Sequence, residues 1–585
     1  MDYVTERYGD KIPAYRAAYP DWWTDGFGSA ARETAASRKT HSDMTAVEGL
    51  LSMAVLKDKC LPQATHQQIE HIHESLLFYD EHTFGASESV SDPLCENSQV
   101  QWGEKSAYAW EAVKRTQMLY ETSVGLLQGD LRRGKNPTLT IFNTLNWKRS
   151  EMLTVYIDFE VIPRNQFFEI TDFQGHSLKV QPIRYRREGC YYAIFAEDIP
   201  PMGYKTFEIV FKQPSTDTGT ITINNASIEN HFYKLQLNPD KGTIQSLYDK
   251  ELNCELVDSS SPWELGAFIY EKLGNRDQLA QYRLDDYNRT GLSECRIIDS
   301  SNGPIYQRIL LQGKSPGTDE AFGVNLEIKL YHDTKRIELE YAIKRLPETE
   351  PSGIYVAFPF QLPEGKLAFD VQGGTVISGK NQLEGTSTDW NTVQNFVSVQ
   401  NNQAQIIIGS SLIPLYQLGD INLGKFQYQK QYERPHVYSW VMNNYWNTNF
   451  KASQEGEFRW SYHLTSSVDP SSNLATKFGW SSRIPLYARV MPTGTENHKP
   501  TEYSAFHFEK DNFLMTSCTP SKEEGYILLN IREIDGKRTN LRILNEDGQT
   551  IPFTIVNAIE EKLENETSEH IFEGYQNKFI KIKRF

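Results

Sequence analysis

Two adjacent tryptophans near the start of the sequence are the first residues that could recognise a ligand. Trp22 and Trp23 stand between Asp21 and Asp25 in the stretch YPDWWTDGFGSAARET, residues 19–34. An indole ring stacks on the apolar face of a pyranose, and neighbouring carboxylates accept hydrogen bonds from sugar hydroxyls. The pattern therefore suits a carbohydrate site. The alternative is that both rings are core packing, which is the commoner role of such a pair.

Residues that could bind a metal lie further along, in HIHESLLFYDEHTFGA at 71–86. Imidazoles and carboxylates are ligands of zinc, but a zinc site needs three or four of them to converge. Asp80 and His82, at the end of a predicted helix, could supply one or two, and nothing nearby in the sequence completes the set. His41 and Asp43, two positions apart on another predicted helix, do not face each other and are interpreted as solvated helix surface.

Asparagines alternate with aromatic residues in VMNNYWNTNF at 441–450. Asn444 and Tyr445 are candidates for sugar binding, because amides and aromatic edges are common in sugar sites. The same residue types occur in β-loops that cap their own backbone, so both interpretations stay open.

Other chemistries find little support in the sequence. Glycine-rich nucleotide motifs and the serine-hydrolase elbow do not occur in a supporting context. The net charge is −16 and no block of Lys and Arg stands out, which argues against nucleic acid and anionic membranes as partners.

Six scattered cysteines without a CxxC pair are typical of free thiols. No apolar run approaches the ~18 residues of a membrane helix, and the opening MDYVTERYGD lacks the apolar stretch of a signal peptide. The chain as it stands is therefore predicted to be cytoplasmic.

Helices precede strands along the chain. Apolar residues at helical spacing predict helices over 31–58, 62–79 and 103–128, which together make a three-helix bundle. Beyond Pro137 the apolar period becomes two, which is typical of antiparallel strands, and no further long helix is predicted. The fold class is therefore multidomain α+β and mostly β.

Turn residues mark the connections within the β region. Pro239–Gly242 predicts a hairpin between the strands on either side, and Asp535-Gly536 predicts a second hairpin. In RIELEYAI the apolar residues Ile337, Leu339, Tyr341 and Ile343 are predicted to share one face of a strand. The stretch QPSTDTGT at 213–220 is predicted to be a linker.

Taken together, these stretches resemble the α-mannosidases of glycoside hydrolase family 38. PDWWTDGFGSAARETAASRK is similar to a family segment late in the catalytic barrel, and LLFYDEHTFGA resembles the bundle motif that delivers the last zinc ligand. IFNTLNWKRS at 141–150 looks like the opening of the first β-domain. NNYWNTNF and FRWSYHLTSS resemble later β-sandwich motifs. The order and rough spacing of these matches hold over essentially the whole chain.

The resemblance implies a division into domains and completes the predicted fold class: a three-helix bundle followed by antiparallel β-sandwich domains, the largest a galactose mutarotase-like supersandwich. The implied domains are a remnant of the catalytic α/β barrel at 1–30, the three-helix bundle or mannosidase middle domain at 31–136, a small β domain at 137–213, the large supersandwich at 220–485 and a C-terminal β domain at 486–585.

Family members are retaining exo-glycosidases that use zinc, and the retaining mechanism needs two carboxyl groups roughly 5 Å apart. By resemblance, Trp23 matches the tryptophan that stacks on the sugar. Asp80 falls where the zinc-ligating His of the family stands, Glu81 falls at its sugar-binding Asp, and His82 is a competing metal ligand. The implied cofactor is zinc and the implied partner is a mannose-containing oligosaccharide. The remaining candidates for binding it are Trp22, Asp25, Asn444 and Tyr445.

In the family, the His-x-Asp zinc motif, the nucleophile and the general acid all precede the Trp-Trp segment. Here 21 residues precede Trp22, and none of them matches those motifs. The resemblance therefore implies the C-terminal part of an α-mannosidase that is inactive alone, with a separately encoded barrel half as a candidate partner. Two alternatives remain: a glycan-binding protein without hydrolysis, and a structural β-sandwich protein in which both tryptophans are fully buried.

Overall fold

The computed structural model describes residues 2–15, 17–213 and 226–585. The linker predicted at 213–220 lies, except for its first residue, outside the described residues. The described chain consists of a helical region followed by antiparallel sheets, which confirms the predicted fold class. None of the helices in these ranges combines the length and the apolar character that crossing a bilayer requires.

Three long helices form the predicted bundle. The described α-helices are Asp2–Tyr8, Ala31–Leu56, Thr65–Asp80, Glu96–Leu127 and Ser472–Arg483, and the 3-10 helices are Gly9–Lys11, Thr24–Ala30, Gln128–Asp130 and Leu279–Gln281. The bundle core consists of Met44, Val47, Leu51, Ile69, Ile72, Leu76, Ala112 and Leu119. All three predicted helices are confirmed. The third helix begins at Glu96 rather than at 103. The Cys95 sulfur caps its start by accepting a hydrogen bond from the Ser98 N–H at 3.5 Å. The sequence did not indicate this start, because cysteine is not a usual N-cap.

The helix Ser472–Arg483 was not predicted, and the expectation of almost continuous strand beyond Pro137 was wrong at this point. The Ser471 hydroxyl caps the helix by accepting a hydrogen bond from the Leu474 N–H at 3.3 Å. The helix is 12 residues long and packs with Ala475 against the large sheet described next. The apolar stripe of this helix is short and strand-like patterns flank it on both sides, so its helical period was not recognised in the sequence.

Two large sheets and one smaller sheet form the β-sandwich. The nine-stranded sheet has the order Ser293–Asn302, Tyr306–Lys314, Val324–Tyr331, Ile337–Arg345, Gly456–Ser467, Gln405–Gly409, Val397–Gln400, Lys366–Val371, Gly374–Ile377. The six-stranded sheet has the order Tyr287–Thr290, Ala267–Leu273, Ser352–Phe358, Val437–Asn443, Leu415–Leu418, Asn391–Thr392. The four-stranded sheet has the order Cys254–Glu255, Thr243–Asp249, Tyr233–Asn238, Ser227–Glu229.

The strand pattern of the sandwich follows the sequence closely. Ile337, Leu339, Tyr341 and Ile343 share one buried core with residues of the facing sheets, which confirms their predicted common face. The hairpin predicted around Pro239–Gly242 is also confirmed, with antiparallel strands on either side. Gly242 has φ +65°, the left-handed conformation that favours glycine in a turn.

The strands before and after the sandwich combine into shared sheets. One sheet has the order Tyr487–Met491, Thr138–Asn143, Gly203–Lys212, Glu502–Ser504, with Phe167–Thr171 also paired to Gly203–Lys212. A three-stranded sheet has the order Arg149–Asp158, Gly189–Ile199, Lys179–Tyr185. The remaining C-terminal pairings are the sheet Phe513–Pro520, Tyr526–Glu533, Asn577–Lys583, Thr554–Val556 and the pairs His507–Phe508 with Ile543–Leu544 and Thr539–Leu541 with His570–Phe572. The strands at 487–491 and 502–504 thus join the sheet begun at residue 138.

The hairpin predicted around Asp535-Gly536 was wrong. The strand Tyr526–Glu533 pairs with neighbours on both sides, but not with the strand that follows the turn. The buried carboxylate of Glu533 explains the difference, because it accepts hydrogen bonds from the backbone N–H groups of residues 535, 536, 537 and 575 at 2.8–3.1 Å. These bonds direct the chain out of the sheet after residue 533.

We expect Glu533→Ala to lower the free energy of unfolding by about 3 kcal/mol, because it removes the buried carboxylate that accepts all four backbone N–H bonds of this turn. Chemical denaturation followed by circular dichroism measures the change. Glu524→Ala, at an exposed position beyond the other end of the same strand, is the matched control and should change stability little. Equal stability of the two variants would contradict this role of Glu533.

Candidate functional site

The segment that carries the two tryptophans is held tightly against the β-sandwich. The 3-10 helix Thr24–Ala30 leads directly into the first bundle helix. Two glycines permit its close approach to the sheet. A Cβ atom on Gly26 would lie 2.1 Å from the Phe450 ring, and one on Gly28 would lie 2.3 Å from Asn443 Nδ2. Any larger residue at these two positions would push the segment away from the sandwich.

Two buried amides complete this attachment, which we call the amide clamp. Gln454 donates from Nε2 to the Gly28 carbonyl at 2.7 Å and accepts at Oε1 from the Ala31 N–H at 2.8 Å. Asn443 donates from Nδ2 to the Asp25 carbonyl at 2.9 Å. The backbone near both ends of the 3-10 helix is therefore fixed to the sandwich.

A cleft of about 280 Å³ lies beside the clamped segment, and we call it the tryptophan cleft. It is lined by Trp22, Trp23, Asp25, Arg276, Leu279, Ala280, Tyr282, Asp389, Trp390, Leu423, Gly424, Tyr445, Trp446 and Asn447. Four residues predicted to bind sugar are thus brought together in one place. The aromatic lining and the few polar groups are typical of a small-molecule site.

Trp22 belongs to the fixed wall of the cleft. Its ring meets those of Trp390, Phe426 and Tyr282 at centroid distances of 5.7, 5.3 and 6.1 Å. The Trp390 indole N–H donates to Thr24 Oγ1 at 2.9 Å, which ties this wall back to the clamped segment.

Trp23 presents a large part of its ring to solvent. The residue is 44% exposed, and its neighbours are the rings of Trp446 at 5.3 Å and His82 at 5.4 Å. The interpretation of both tryptophans as fully buried packing is therefore wrong, since Trp22 is also only partly buried. An exposed indole at a cleft mouth has a free face on which a sugar ring can stack.

Two buried carboxyl groups also line the cleft. Asp25 accepts a hydrogen bond from the Trp446 indole N–H at 3.0 Å, and burial raises its pKa to about 7. Asp389 accepts at Oδ2 from the Gly424 N–H at 2.9 Å, and burial raises its pKa to about 6. Its Oδ1 is buried without a hydrogen-bond partner in the described part of the chain. Near neutral pH both groups can therefore exchange protons and hydrogen-bond with hydroxyls.

The other two candidates from the 441–450 stretch have different surroundings. Tyr445 contributes to the cleft wall, and its hydroxyl donates to the buried Glu271 at 2.6 Å. Asn444 is buried. Its Nδ2 lies 2.8–3.1 Å from the carbonyls of residues 348, 350 and 452, and its Oδ1 accepts from the Ser352 N–H at 2.7 Å. Asn444 thus holds the loop that presents Tyr445, as the self-capping interpretation describes.

The predicted metal ligands lie just beyond Trp23. Asp80 accepts from Ser37 Oγ at 3.0 Å, and its other oxygen lies 2.8 Å from His41 Nε2. His82 Nδ1 lies 2.7 Å from Glu81, which also accepts from the N–H and the hydroxyl of Thr83 at 3.0 and 2.9 Å. Among the described residues, no group of three or more His, Cys, Asp and Glu side chains could hold a metal ion. The donors present therefore do not make a zinc site by themselves.

Sequence reasoning missed part of the cleft and one contact of the metal candidates. Asp389 and Trp390 repeat the Asp-Trp pair at 21–22, and this repeated dipeptide was the one available signal. The His41–Asp80 contact joins two different helices, so spacing along one helix could not reveal it.

Comparisons with known proteins identify the family of both regions. The family profile for the α-mannosidase middle domain matches residues 21–127, and that for the C-terminal domain of glycosyl hydrolase family 38 matches residues 228–426. No curated protein is similar enough in sequence to count as a match.

Two solved structures from Enterococcus faecalis share the fold over the full described chain. A crystal structure of an α-mannosidase superimposes with a TM-score of 0.74 and 13% identity, covering 100% of this chain and 72% of that one. A second crystal structure, of a protein in glycosyl hydrolase family 38, has a TM-score of 0.75 and 13% identity, covering 100% of this chain and 73% of that one.

The raised pKa of Asp25 predicts a pH-dependent stability. Because the folded state holds this proton up to about pH 7 while the unfolded state releases it near 3.8, the contribution of Asp25 to stability is fully present below pH 3.8 and is lost as the pH rises through 7. The loss from this group amounts to up to about 4 kcal/mol. Asp25→Asn keeps an acceptor for Trp446 but cannot ionise, so its urea-unfolding free energy should fall less between pH 4.5 and 8.

Asp92→Asn, at an exposed position that does not line the cleft, serves as the control and should follow the wild-type pH profile. The assignment fails if Asp25→Asn loses as much stability as the wild type over this range.

Proposed function

Because the chain belongs to glycoside hydrolase family 38, we propose that it binds a terminal α-mannosyl residue of an oligosaccharide in the tryptophan cleft, as part of a retaining α-mannosidase. The observation that carries the proposal is the half-exposed ring of Trp23 at the mouth of a cleft that also contains two protonatable carboxyl groups. A flat apolar surface beside hydrogen-bonding groups is the chemistry that a pyranose requires.

The cleft offers distinct partners for the two sides of a sugar. The Trp23 face can cover the C–H face of the ring, while Asp25 and Asp389 can accept or donate hydrogen bonds to hydroxyls according to pH. The Trp22 wall is already packed against other aromatic rings, so it fixes the shape of the cleft and does not need to move on binding. A preformed site of this kind loses little free energy to ordering.

We assign no catalytic residue to this chain. The resemblance places the nucleophile, the general acid and the His-x-Asp zinc motif before the Trp-Trp segment. We therefore propose that residues outside these 585, on the same or on a separate polypeptide, supply them. Asp80 and His82 remain the predicted zinc ligands, and Asp80 would have to exchange its contacts with Ser37 and His41 for the metal. Zinc in that position would help to bind and polarise sugar hydroxyls.

Glycan binding without hydrolysis is the second candidate function. The aromatic cleft is formed within this chain, whereas the side-chain donors around Asp80 do not make a zinc site by themselves. This difference favours binding over hydrolysis. Binding by this chain is expected under both functions, so turnover decides between them.

We expect Trp23→Ala to weaken mannoside binding by about 1–3 kcal/mol, or about 5- to 150-fold in Kd, because it removes the exposed stacking face. Isothermal titration calorimetry with a mannose oligosaccharide measures the change. Trp110→Ala is the matched control, since Trp110 is 45% exposed on a bundle helix and does not line the cleft. Equal affinity of the two variants would remove Trp23 from the site.

We expect the 585-residue chain alone not to hydrolyse an aryl α-mannoside at a measurable rate, with or without added zinc. The measurement is release of the aryl group, first with the chain alone and then with an added polypeptide that carries the family barrel motifs. Turnover only in the second case supports the proposed enzyme, and its absence in both supports the binding function. Zinc-dependent turnover by the chain alone would contradict the assignment of catalysis to outside residues.

A further inference from the structure

A second and larger cavity lies away from the tryptophan cleft. It has a volume of about 1020 Å³ and is lined by the three-stranded sheet, the helix Ser472–Arg483, the strand Tyr487–Met491 and three central strands of the nine-stranded sheet, near their ends. Its apolar walls include Met152, Phe478 and Tyr487. A cavity of this size is large enough for a small organic ligand.

Most charged groups that line this cavity are neutralised by partners. The carboxylate of Glu338 accepts from Lys329 Nζ and the Tyr331 hydroxyl, each at 3.0 Å. Lys335 is paired with Asp249 at 2.8 Å and Glu251 at 2.6 Å. The other pairs are Glu121 with Arg489 at 2.9 Å, Glu151 with Arg149 at 2.7 Å and, more loosely, Lys477 with Asp511 at 3.5 Å.

Arg336 is the exception. In the described part of the chain, no Asp or Glu oxygen lies within 4.0 Å of its guanidinium group. Its Nη2 donates to His463 Nδ1 at 2.8 Å, and its Cζ lies 5.7 Å from the centre of the Phe478 ring. His463 is uncharged, because burial lowers its pKa to about 3, and Phe478 is apolar. Arg336 therefore makes no direct ion pair in the described part of the chain, and its charge is balanced only indirectly, by the Glu338 carboxylate 3.7 Å from His463 Nδ1.

Two further donors belong to residues that line the same cavity. Since His463 Nδ1 accepts the bond from Arg336, its Nε2 carries the ring proton. The hydroxyl of Ser482 is buried on the same cavity wall and has no hydrogen-bond partner among the described residues. A buried hydroxyl without a partner is costly and marks a place where a ligand atom can bind.

We propose that this cavity is a second ligand site that binds a small sugar-like molecule carrying an oxyanion, either a phosphate or a carboxylate group. The planar guanidinium of Arg336 matches two oxygens of such an anion. Phe478 and Tyr487 offer ring surfaces for the body of the ligand, and Ser482 supplies a hydroxyl. The proposal is independent of mannoside binding in the tryptophan cleft, since Arg336, Phe478 and Ser482 do not line that cleft.

The test is calorimetric titration of the full chain with four probes: glucose 6-phosphate, glucuronate, glucose and inorganic phosphate. We expect glucose 6-phosphate or glucuronate to bind at least about tenfold more tightly than glucose, because a charge-assisted hydrogen bond is added. Tight binding of the phosphorylated sugar alone identifies a phosphate site, and tight binding of glucuronate alone identifies a carboxylate site. Inorganic phosphate that binds as tightly as either sugar would overturn the sugar-like part of the proposal.

Variants separate this site from the cleft. Arg336→Gln should weaken binding of the anionic sugar at least about tenfold, whereas Arg336→Lys, which keeps the charge without the fork, should weaken it less. Phe478→Leu should weaken it through the ring surface and checks the result if Arg336→Gln folds poorly by circular dichroism. Arg296→Gln, at an exposed position outside the cavity, should leave it unchanged. Equal affinities of folded Arg336→Gln and wild type, or no preference for either anionic sugar over glucose, would overturn the proposal.

Discussion

The amide clamp is the interaction on which the candidate site depends. Gln454 and Asn443 belong to the sandwich, yet they hold the backbone of residues 25–31, more than 400 positions earlier in the chain. The Ala31 N–H is one of the donors that a helix leaves without an internal partner at its start, so Gln454 also satisfies the first bundle helix. The tryptophans, the bundle and the sandwich are thereby fixed relative to one another by a few buried hydrogen bonds.

The aromatic rings of the cleft have two effects. They supply surface for stacking, and by excluding water they raise the pKa of Asp25 and Asp389. With both carboxyl groups largely protonated below their pKa values, the cleft carries little negative charge and suits a neutral sugar. The second cavity differs, because it contains Arg336, a cation that makes no direct ion pair among the described residues. The two cavities thus present different polar groups.

Much of the architecture could be predicted from the sequence, because helical and strand periods are local signals. The three bundle helices and the hairpin around Gly242 follow from such signals. The proximity of Trp22, Trp23 and Asp25 is local too, and the resemblance added Tyr445 from a distant stretch. Other features come from residues that meet only in three dimensions. They are the contributions of Asp389 and Arg276 to the cleft, the His41–Asp80 contact and the turn directed by Glu533. No periodic pattern encodes such meetings.

The strand order of the sheet that begins at Thr138 affects folding during synthesis. Its central strands, Thr138–Asn143 and Gly203–Lys212, find their outer partners only at residues 487–491 and 502–504. During synthesis on the ribosome both central strands therefore emerge long before their neighbours, with unpaired edges that can associate with other chains. A recombinant fragment that ends before residue 502 keeps an edge of this kind permanently, so fragments intended for expression should extend past residue 504.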